Sequence, residues 1–355
     1  MAKINNKFML CLGITAKYRF INGLIGLLLL PVWSGAQSVG SIFDRLSGEE
    51  ILEVELRGDF AKLLEDKHSG EAIDAVFTVE QRGERTSRNV ELSLRGRFRR
   101  MTCDFPPLMM RFKKKELRRE GLSEHNDIKL VTHCLESSSV SKKNILKEYL
   151  AYKLLSLLTD YSFRVQLARI TYVDTSGLVS DTRRYAILVE DEDELAERLN
   201  AKECKDCLNP DITRMDLADL ALVSVFQYMI GNTDWSVLMN RNVKLFEETT
   251  DGTLLSVPYD FDYSGWVNAP YAKPNPDLGQ VALTDRIYVG IMLNTSLKEQ
   301  TFSAFRERKN AMYELVRGFK KLDATSRKAL VAYLDSFYEH LENIDMKFAN
   351  RAMIW

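Results

Sequence analysis

Three side chains that carry oxygen ligands lie close together in the sequence between Met229 and Asp262. Asp234 follows an apolar segment with helical periodicity, Asn242 opens a predicted hairpin, and Asp260 follows the second strand of that hairpin. Because antiparallel pairing brings the start of one strand beside the end of the other, we expect Asn242 and Asp260 to converge. A carboxylate displayed from a loop is suited to contact a substrate hydroxyl. An amide and a carboxylate together are suited to hold Mg²⁺ or Mn²⁺ against phosphates.

A further carboxylate, Asp262, lies two residues beyond Asp260 and on the same side of an extended chain. This position predicts that it holds a second metal ion. A purely local role is the alternative for all of these residues, since Asn and Asp frequently cap helices and occupy turns. Both interpretations stay open at the level of sequence.

The residues before Glu190 are predicted to form a mostly antiparallel sheet with one helix against it. Alternating apolar residues and turn signals indicate the strands, and apolar residues at helical spacing indicate the helix. The segment Ser41–Lys67 is predicted to be helical or irregular. The predicted strands cover Ala75–Gln81, Asn89–Leu94, Leu108–Phe112, Ile128–Thr132, Val165–Val173 and Tyr185–Val189, and the helix covers Asn144–Leu158.

The residues after Glu190 are predicted to be mainly helical, with one hairpin around the turn residues Asp251 and Gly252. A sheet-rich half followed by a helical half predicts an α+β fold with two lobes. The N-terminal lobe would cover residues 37–190, and the C-terminal lobe, which carries the hairpin, would cover residues 191–355. The predicted helices cover Glu192–Leu199, Asp211–Ile230, Ser296–Phe319 and Ala324–Met353, and the hairpin strands cover Val243–Phe246 and Leu254–Val257.

Residues 1–36 have the pattern of a signal peptide. Basic residues precede the apolar run Phe20–Trp33, and the small residues Ser34 and Ala36 suit cleavage before Gln37. A membrane anchor is the alternative, but the run is short for crossing a bilayer. The protein is therefore predicted to be exported, to the periplasm or the cell exterior, without a stable membrane span. Its formal net charge of −1 gives no indication of nucleic-acid binding.

Four cysteines follow the predicted signal peptide, and an even number favours disulfides in an exported protein. We predict that Cys103 pairs with Cys134 and that Cys204 pairs with Cys207. Cys204 and Cys207 also have the spacing of half a zinc site. No second pair with matching spacing and no histidine ligand motif accompanies them in the sequence.

Several motifs resemble those of atypical kinases of the spore-coat CotH type. The run Gly231-Asn-Thr-Asp234, followed by an asparagine before a strand, is similar to that family's catalytic segment, and Pro258-Tyr-Asp-Phe-Asp262 is similar to its metal-binding segment. Upstream, Leu94-Arg-Gly-Arg97 resembles its phosphate-covering turn. The strand beginning Pro106-Pro-Leu-Met-Met-Arg resembles its lysine-bearing strand. The likeness covers most of the chain from about Glu91 to Gly290.

The resemblance implies a protein-kinase-like fold with an antiparallel-sheet N-lobe and a mainly helical C-lobe. It also assigns roles to individual residues. Asp234 matches the catalytic aspartate, Asp260 matches the metal-binding aspartate, and Asn242 matches the metal-binding asparagine. Asn240 competes with Asn242 for this role, because typical kinases place the asparagine closer to the catalytic aspartate.

The nucleotide-binding cation is expected in the lysine-bearing strand, where the matching position holds Arg111. Lys113 lies two residues later and faces the same way. Glu148, on the helix of the first half, is expected to pair with that cation, with a solvent-facing glutamate as the alternative. Arg97 lies in the arginine-rich turn that would cover the phosphates. Glu190 lies at the junction of the two halves, where kinases of this fold bind adenine.

From the resemblance we expect an exported kinase that transfers the γ-phosphoryl group of ATP to a hydroxyl acceptor, a protein Ser or Thr. ATP and Mg²⁺ or Mn²⁺ are the expected cofactors, and a nucleotide and a protein substrate are the expected partners. The oligomeric state is not predicted. Because a fold does not establish turnover, the alternative is a catalytically inactive, pseudokinase-like binding or scaffold protein of the cell envelope.

Overall fold

Seven strands from the first half of the chain close into a barrel, as a computed structural model of the protein shows. The structure describes residues 39–68 and 70–350, except for the side chain of Arg97. In chain order the strands are β1 (Leu52–Gly58), β2 (Ile73–Gln81), β3 (Glu84–Leu94), β4 (Leu108–Phe112), β5 (Asp127–Val131), β6 (Val165–Asp174), β7 (Thr182–Val189), β8 (Ala201–Glu203), β9 (Val243–Glu248) and β10 (Leu254–Pro258).

In the described residues five α-helices precede Glu190, where the sequence predicted one, and four follow it. Short 3₁₀ turns at Ile212–Arg214, Pro276–Leu278 and Leu341–Asn343 accompany them. The α-helices are α1 (Ile42–Leu46), α2 (Phe60–Glu65), α3 (Arg97–Thr102), α4 (Lys114–Arg119), α5 (Ser138–Leu155), α6 (Glu192–Arg198), α7 (Leu217–Met229), α8 (Thr295–Gly318) and α9 (Ala324–His340).

The barrel strands follow the order β1-β2-β3-β4-β5-β7-β6, and the neighbouring pairs are antiparallel except for β1 and β6. The parallel contact between β1 and β6 closes the barrel. It corrects the prediction for Ser41–Lys67, which includes β1 as well as α1 and α2. The apolar residues of β1 alternate with charged ones, and the apolar set is buried, which is the period of a half-buried strand.

Two short helices in the barrel connections were not predicted. The helix α3 joins β3 to β4, and α4 joins β4 to β5. Gly96 precedes α3 with a φ of +78°, a conformation that glycine adopts without steric cost. Cys103 ends α3 and is bonded to Cys134, and Cys204 is bonded to Cys207, so both predicted disulfides are present.

The strands β8, β9 and β10 form a separate three-stranded sheet in the order β10-β9-β8. Its hairpin has Pro258 opposite Val243, and the N–H of Tyr259 donates to the carbonyl of Asn242 over 3.0 Å. The antiparallel pairing therefore brings Asn242 beside the residues that lead to Asp260, as predicted. The last helix, α9, ends at His340, earlier than the predicted Met353.

Two hydrophobic clusters are found in the described part of the chain. One fills the barrel, and the other extends over α5, α7, the hairpin, α8 and α9. Residues from 39 onward belong to one compact unit. Within the described ranges we find no helix long and apolar enough to cross a membrane. The predicted signal peptide lies outside the described residues.

Candidate active site

A cavity of about 730 Å³ lies among α3, α5, the loop after α7 and the residues after β10. The structure brings together four predicted site residues in its wall, Asp234, Asn242, Asp260 and Asp262. Further side chains also line it, among them Arg95, Phe98, Arg99, Tyr152, Arg241, Tyr259 and Tyr263.

The loop that displays Asp234 is held by a buried asparagine. The side-chain amide of Asn232 donates to Gln227 Oε1 over 3.0 Å, and its Oδ1 accepts the backbone N–H of Asp234 over 2.9 Å. The carbonyl of Gly231 accepts a hydrogen bond from the N–H of Gly265 over 3.0 Å. Asp234 is therefore fixed relative to the buried helix α7, which is the rigid support that a catalytic carboxylate needs.

The carboxylate of Asp234 is oriented by Asn242. The Nδ2 of Asn242 donates to the carbonyl of Asp234 over 2.7 Å and to its Oδ2 over 2.9 Å. On the other side, Arg241 Nε lies 3.4 Å from Asp234 Oδ1. Burial raises the pKa of Asp234, and the charge of Arg241 opposes the rise. A carboxylate with a raised pKa is a stronger base, and this one is held with its two oxygens in defined places.

Asp260 begins the second part of the site in a left-handed backbone conformation, with a φ of +62°. Its N–H donates to the hydroxyl of Tyr152 over 2.9 Å. Tyr152 lies one helical turn after Glu148 on α5, so the two side chains lie on the same side of the helix, and Tyr152 lines the cavity. Asp262 is almost fully buried two residues later.

The cation among these carboxylates is Arg99, which comes from α3 and is 7% exposed. Its Nη2 lies 2.5 Å from Asp260 Oδ1 and 2.8 Å from Asp262 Oδ2. The same nitrogen lies 3.4 Å from Glu148 Oε1. One guanidinium group thus contacts three carboxylates from two segments, and it joins α3 to α5 and to the loop after β10.

The ionisation of this cluster is dominated by burial. Burial raises the pKa of Glu148, and Arg99 opposes the rise. The pKa of Asp260 is raised for the same reason, again against the effect of Arg99. Although burial lowers the pKa of Arg99, its carboxylate neighbours raise that pKa well above its ordinary value. Arg99 therefore stays charged, and its charge favours the ionised forms of Glu148 and Asp260 against the effect of burial.

The oxygen ligands of the site fit a divalent cation. Asp262 Oδ2 is buried and accepts no hydrogen bond, and its ion pair with Arg99 lacks hydrogen-bond geometry. The carboxylates of Asp260 and Asp262 and the amide of Asn242 are hard ligands of the kind that Mg²⁺ and Mn²⁺ prefer. Within residues 39–68 and 70–350, no three His, Cys, Asp or Glu side chains converge on a common metal position.

The predicted partner of Glu148 is not the one observed. Arg111 projects from β4 on the outer face of the sheet and pairs with Asp127 and Glu91, so it does not reach Glu148. Lys113 is exposed just before α4. Arg97 opens α3, and its side chain lies outside the described residues. The arginine two residues further along α3 contacts Glu148 instead.

Glu190 lies outside the cavity, and Asn240 lies in its wall. Glu190 is fully buried and pairs with Arg164 over 2.6 Å and with Arg198 over 2.8 Å. It therefore joins β7 to α6 within a network of ion pairs and does not line the cavity. Asn240 lines the cavity, but the structure gives the contact with Asp234 to Asn242.

A second cavity, of about 620 Å³, adjoins the first, since Asn240 and Tyr259 line both. Glu192 and Lys244 line this second cavity and pair over 3.3 Å. Glu192 also pairs with Lys129, a buried residue of β5. Burial lowers the pKa of Lys129 to about 8. The second cavity is therefore lined by charged side chains and lies next to the candidate site.

Sequence reasoning missed Arg99 and Lys129 for different reasons. The run of arginines after Gly96 marks a basic turn, but the choice of the inward-facing arginine depends on α3, a short helix with no side-chain N-cap. Lys129 carries a clearer signal. It is the charged residue in an otherwise apolar strand segment, and such a residue is buried only when it is paired.

Comparisons with known proteins give a coarse result. No protein-family model matches the chain, and no curated protein matches it. One solved structure to which it is similar is the crystal structure of the Golgi casein kinase with Mn/ADP bound. The sequences are 10% identical, and the match covers 86% of this chain and 70% of that chain, with a TM-score of 0.26. This similarity is too low to relate individual residues, so the site is interpreted from its own contacts.

Proposed function

We propose that the protein is a kinase-like phosphotransferase that transfers the γ-phosphoryl group of ATP to a hydroxyl acceptor. The observation that carries this proposal is the convergence of Asp234, Asn242 and Asp260 on one cavity, with Asn242 donating to Asp234. A carboxylate for the acceptor hydroxyl beside oxygen ligands for a metal ion is the minimum that phosphoryl transfer requires. The first cavity would receive the phosphates of a nucleotide, and the adjoining second cavity would provide room for its nucleoside.

Asp234 is the residue proposed to orient the acceptor. Its Oδ2 accepts a hydrogen bond from Asn242, so Oδ1 is the oxygen to which an acceptor hydroxyl would donate, in exchange for the longer contact with Arg241. A fixed carboxylate at this point aligns the hydroxyl oxygen for in-line attack. The raised pKa of Asp234 also improves it as the acceptor of the hydroxyl proton.

Asp260, Asp262 and Asn242 are the residues proposed to hold the metal. A bound Mg²⁺ or Mn²⁺ would neutralise the negative charge of the phosphates. The protein's part is to fix the ligands. Tyr152 holds the backbone of Asp260, and Asn242 accepts a backbone hydrogen bond from Tyr259, the residue before Asp260. The backbone of Asp260 is in a conformation that requires such support from its neighbours.

Arg99 is proposed to take the role that a strand lysine has in typical kinases. In those enzymes a lysine contacts the phosphates and pairs with a helix glutamate. Here Glu148 on α5 has the corresponding place, and its cation comes from α3 in the connection between β3 and β4. Lys129 lies on β5, the strand before α5, but pairs with Glu192. A guanidinium fork is well suited to bind phosphate oxygens.

The finer assignment to a two-lobed kinase fold of the CotH type rests on the motif resemblance together with this geometry. Two hydrophobic clusters, one in the barrel and one among the helices, support two lobes with a cleft between them. Two disulfides support an extracytoplasmic location, since such bonds persist in oxidising compartments. A protein Ser or Thr is the proposed acceptor.

Calorimetric titration of the purified protein with ATP and Mg²⁺ tests the nucleotide part of this proposal. We expect Asp260→Asn to weaken ATP binding at least tenfold in the presence of Mg²⁺, and Asp234→Asn to change it less than threefold. Asp277→Asn is the matched control, because Asp277 is exposed on a turn and does not line the cavity. Absence of ATP binding to the unaltered protein would contradict the proposal.

A binding protein without turnover is the second candidate function. It is favoured by the contacts of Arg99 with Asp260 and Asp262, which occupy two proposed metal ligands. In that case the unaltered protein would bind ATP with the same affinity in Mg²⁺ and in EDTA. Binding that depends on Mg²⁺ and on Asp260 supports the enzyme instead.

A further inference from the structure

The guanidinium of Arg99 lies where a metal ion would need to bind. Its Nη2 is within 2.8 Å of oxygens on both Asp260 and Asp262. A nitrogen at that place excludes a divalent cation from bridging the two carboxylates, because both would need the same space and both carry positive charge. Arg99 Nε is itself buried without a hydrogen-bond partner, so the guanidinium is held by its ion pairs and not by a full set of hydrogen bonds.

The helix that carries Arg99 is positioned by contacts at both of its ends. At its C-terminal end, the N–H of Cys103 donates to the carbonyl of Arg99 over 2.9 Å, and Cys103 is bonded to Cys134. At its N-terminal end, Phe98 is 53% exposed, and its ring packs edge-on against Tyr263 at 5.5 Å. Both ends of this short helix are thus positioned by contacts that leave Arg99 beside the cavity.

We propose that Arg99 holds Asp260 and Asp262 closed to a divalent cation until a phosphate-bearing ligand draws its guanidinium away. This inference rests on the proposed function, since it assumes that the cavity receives a nucleotide. Phosphate oxygens offer the guanidinium a bidentate partner in exchange for the carboxylates. Once Arg99 turns to the phosphates, Asp262 Oδ2 is left as a buried carboxylate oxygen without any partner, and a metal ion satisfies it.

Binding of the nucleotide and binding of the metal ion are coupled through Arg99. Nucleotide binding removes Arg99 from the metal ligands. The affinity for a divalent cation is therefore low in the free protein and high in the nucleotide complex. By linkage, the nucleotide gains the same factor in affinity from the metal. A protein exposed to millimolar divalent cations would in this way keep its carboxylates paired until a nucleotide arrives.

The test measures Mn²⁺ binding to the nucleotide-free protein by the loss of the free Mn²⁺ signal in electron paramagnetic resonance. We expect Arg99→Gln to bind Mn²⁺ at least tenfold more tightly than the unaltered protein. Arg99→Lys, which keeps the charge but loses the planar fork, should lie between the two. Arg100→Gln is the matched control, because Arg100 Nε donates to the carbonyl of Lys67 and its side chain does not line the cavity. Equal or weaker Mn²⁺ binding by Arg99→Gln would overturn the inference.

Removal of Arg99 leaves Glu148 buried without its cation, which can unfold the protein. The double variant Arg99→Gln, Glu148→Gln removes that charge as well and keeps the test available. In EDTA, a non-hydrolysable ATP analogue should bind the Arg99→Gln variant at least tenfold more weakly than the unaltered protein. If Mn²⁺ binding tightens but the unaltered protein does not bind the analogue, the proposed function fails and release of Arg99 by phosphate is overturned. If Arg99→Gln binds Mn²⁺ more tightly but binds the analogue as well as the unaltered protein does, Arg99 blocks the metal ligands without contacting the phosphates, and its release by phosphate is overturned.

Discussion

The hydroxyl of Tyr152 accepts a hydrogen bond of 2.9 Å from the backbone N–H of Asp260. This contact joins α5 to the residue with the strained backbone conformation after β10. Tyr152 lies one turn after Glu148 on α5, and the carboxylate of Glu148 contacts Arg99. Through this bond the position of Asp260 depends on a helix packed into the hydrophobic cluster, and not on the hairpin alone.

Replacement of Tyr152 by phenylalanine should therefore weaken both stability and metal binding. The substitution leaves the N–H of Asp260 without an acceptor in a partly buried site, at a cost of about 1–3 kcal/mol in the free energy of unfolding. Urea denaturation measures the first effect, and Mn²⁺ titration in the presence of an ATP analogue measures the second. Tyr149→Phe on the same helix is the control and should leave metal binding unchanged. If Tyr152→Phe behaves like this control, the hydroxyl does not position Asp260.

Gly231→Ala should destabilise the loop that displays Asp234. Gly231 has a φ of +65°, and an added Cβ would overlap the hydroxyl oxygen of Tyr333. The conformation alone costs about 1–2 kcal/mol for a residue with a side chain, and the overlap adds about 1–3 kcal/mol. Gly279→Ala separates the two causes, because Gly279 has a φ of +69° with nothing near the added Cβ. Equal losses of unfolding free energy in the two variants would contradict the steric explanation.

His133 should make stability depend on acidity. Burial lowers its pKa to about 4, and Arg184 acts in the same direction. In the unfolded chain the histidine has a pKa near 6.5, so as the pH falls the unfolded state binds a proton before the folded state does. The contribution of neutral His133 to the free energy of unfolding is therefore complete above about pH 6.5 and is lost towards pH 4. The loss amounts to about 3 kcal/mol.

The difference in unfolding free energy between the unaltered protein and His133→Phe isolates this contribution from that of the carboxylates. Phenylalanine is a suitable replacement because the imidazole stacks on Phe105 at 4.7 Å. The difference should change by about 3 kcal/mol between pH 7 and pH 4. A difference that is independent of pH would show that His133 does not titrate as a buried neutral group.

The two disulfides should contribute unequally to the free energy of unfolding. Cys103 and Cys134 are 31 residues apart, and Cys204 and Cys207 are 3 apart. Chain entropy predicts losses of about 3.7 and 1.9 kcal/mol when each pair is replaced by alanine. The first pair also ends the helix of Arg99, so its removal should weaken binding of an ATP analogue, whereas removal of the second should not. Calorimetric unfolding and analogue titration of the two double variants test both statements.

The sequence predicted the elements whose patterns are local. Alternation and turn residues identified the strand Leu108–Phe112, and the Asp251-Gly252 turn identified the hairpin that brings Asn242 towards Asp260. The disulfides followed from an even number of cysteines in a protein predicted to be exported. These features depend on short-range backbone preferences and on redox chemistry, which a single sequence displays directly.

What the sequence did not reveal depends on long-range packing. β1 pairs with a strand more than a hundred residues later, and that pairing closes the barrel. Arg99 reaches Asp260 across 161 positions, from a six-residue helix that has no strong propensity signal. Arg111 matched the family pattern by position, but its side chain lines the second cavity and pairs with Asp127 and Glu91, not with Glu148. Which of several basic residues enters a site is decided by the fold around it.

The central claim is that Asp234 and Asp260 serve phosphoryl transfer in one site. Transfer of label from γ-labelled ATP to a protein acceptor mixture, with Mg²⁺ or Mn²⁺ present, tests it most directly. The unaltered protein and Asp277→Asn should transfer label, and Asp234→Asn and Asp260→Asn should lose at least a hundredfold in rate, with Asp234→Asn still binding ATP. Transfer that continues at the same rate in Asp234→Asn, or no transfer by the unaltered protein, would contradict the account.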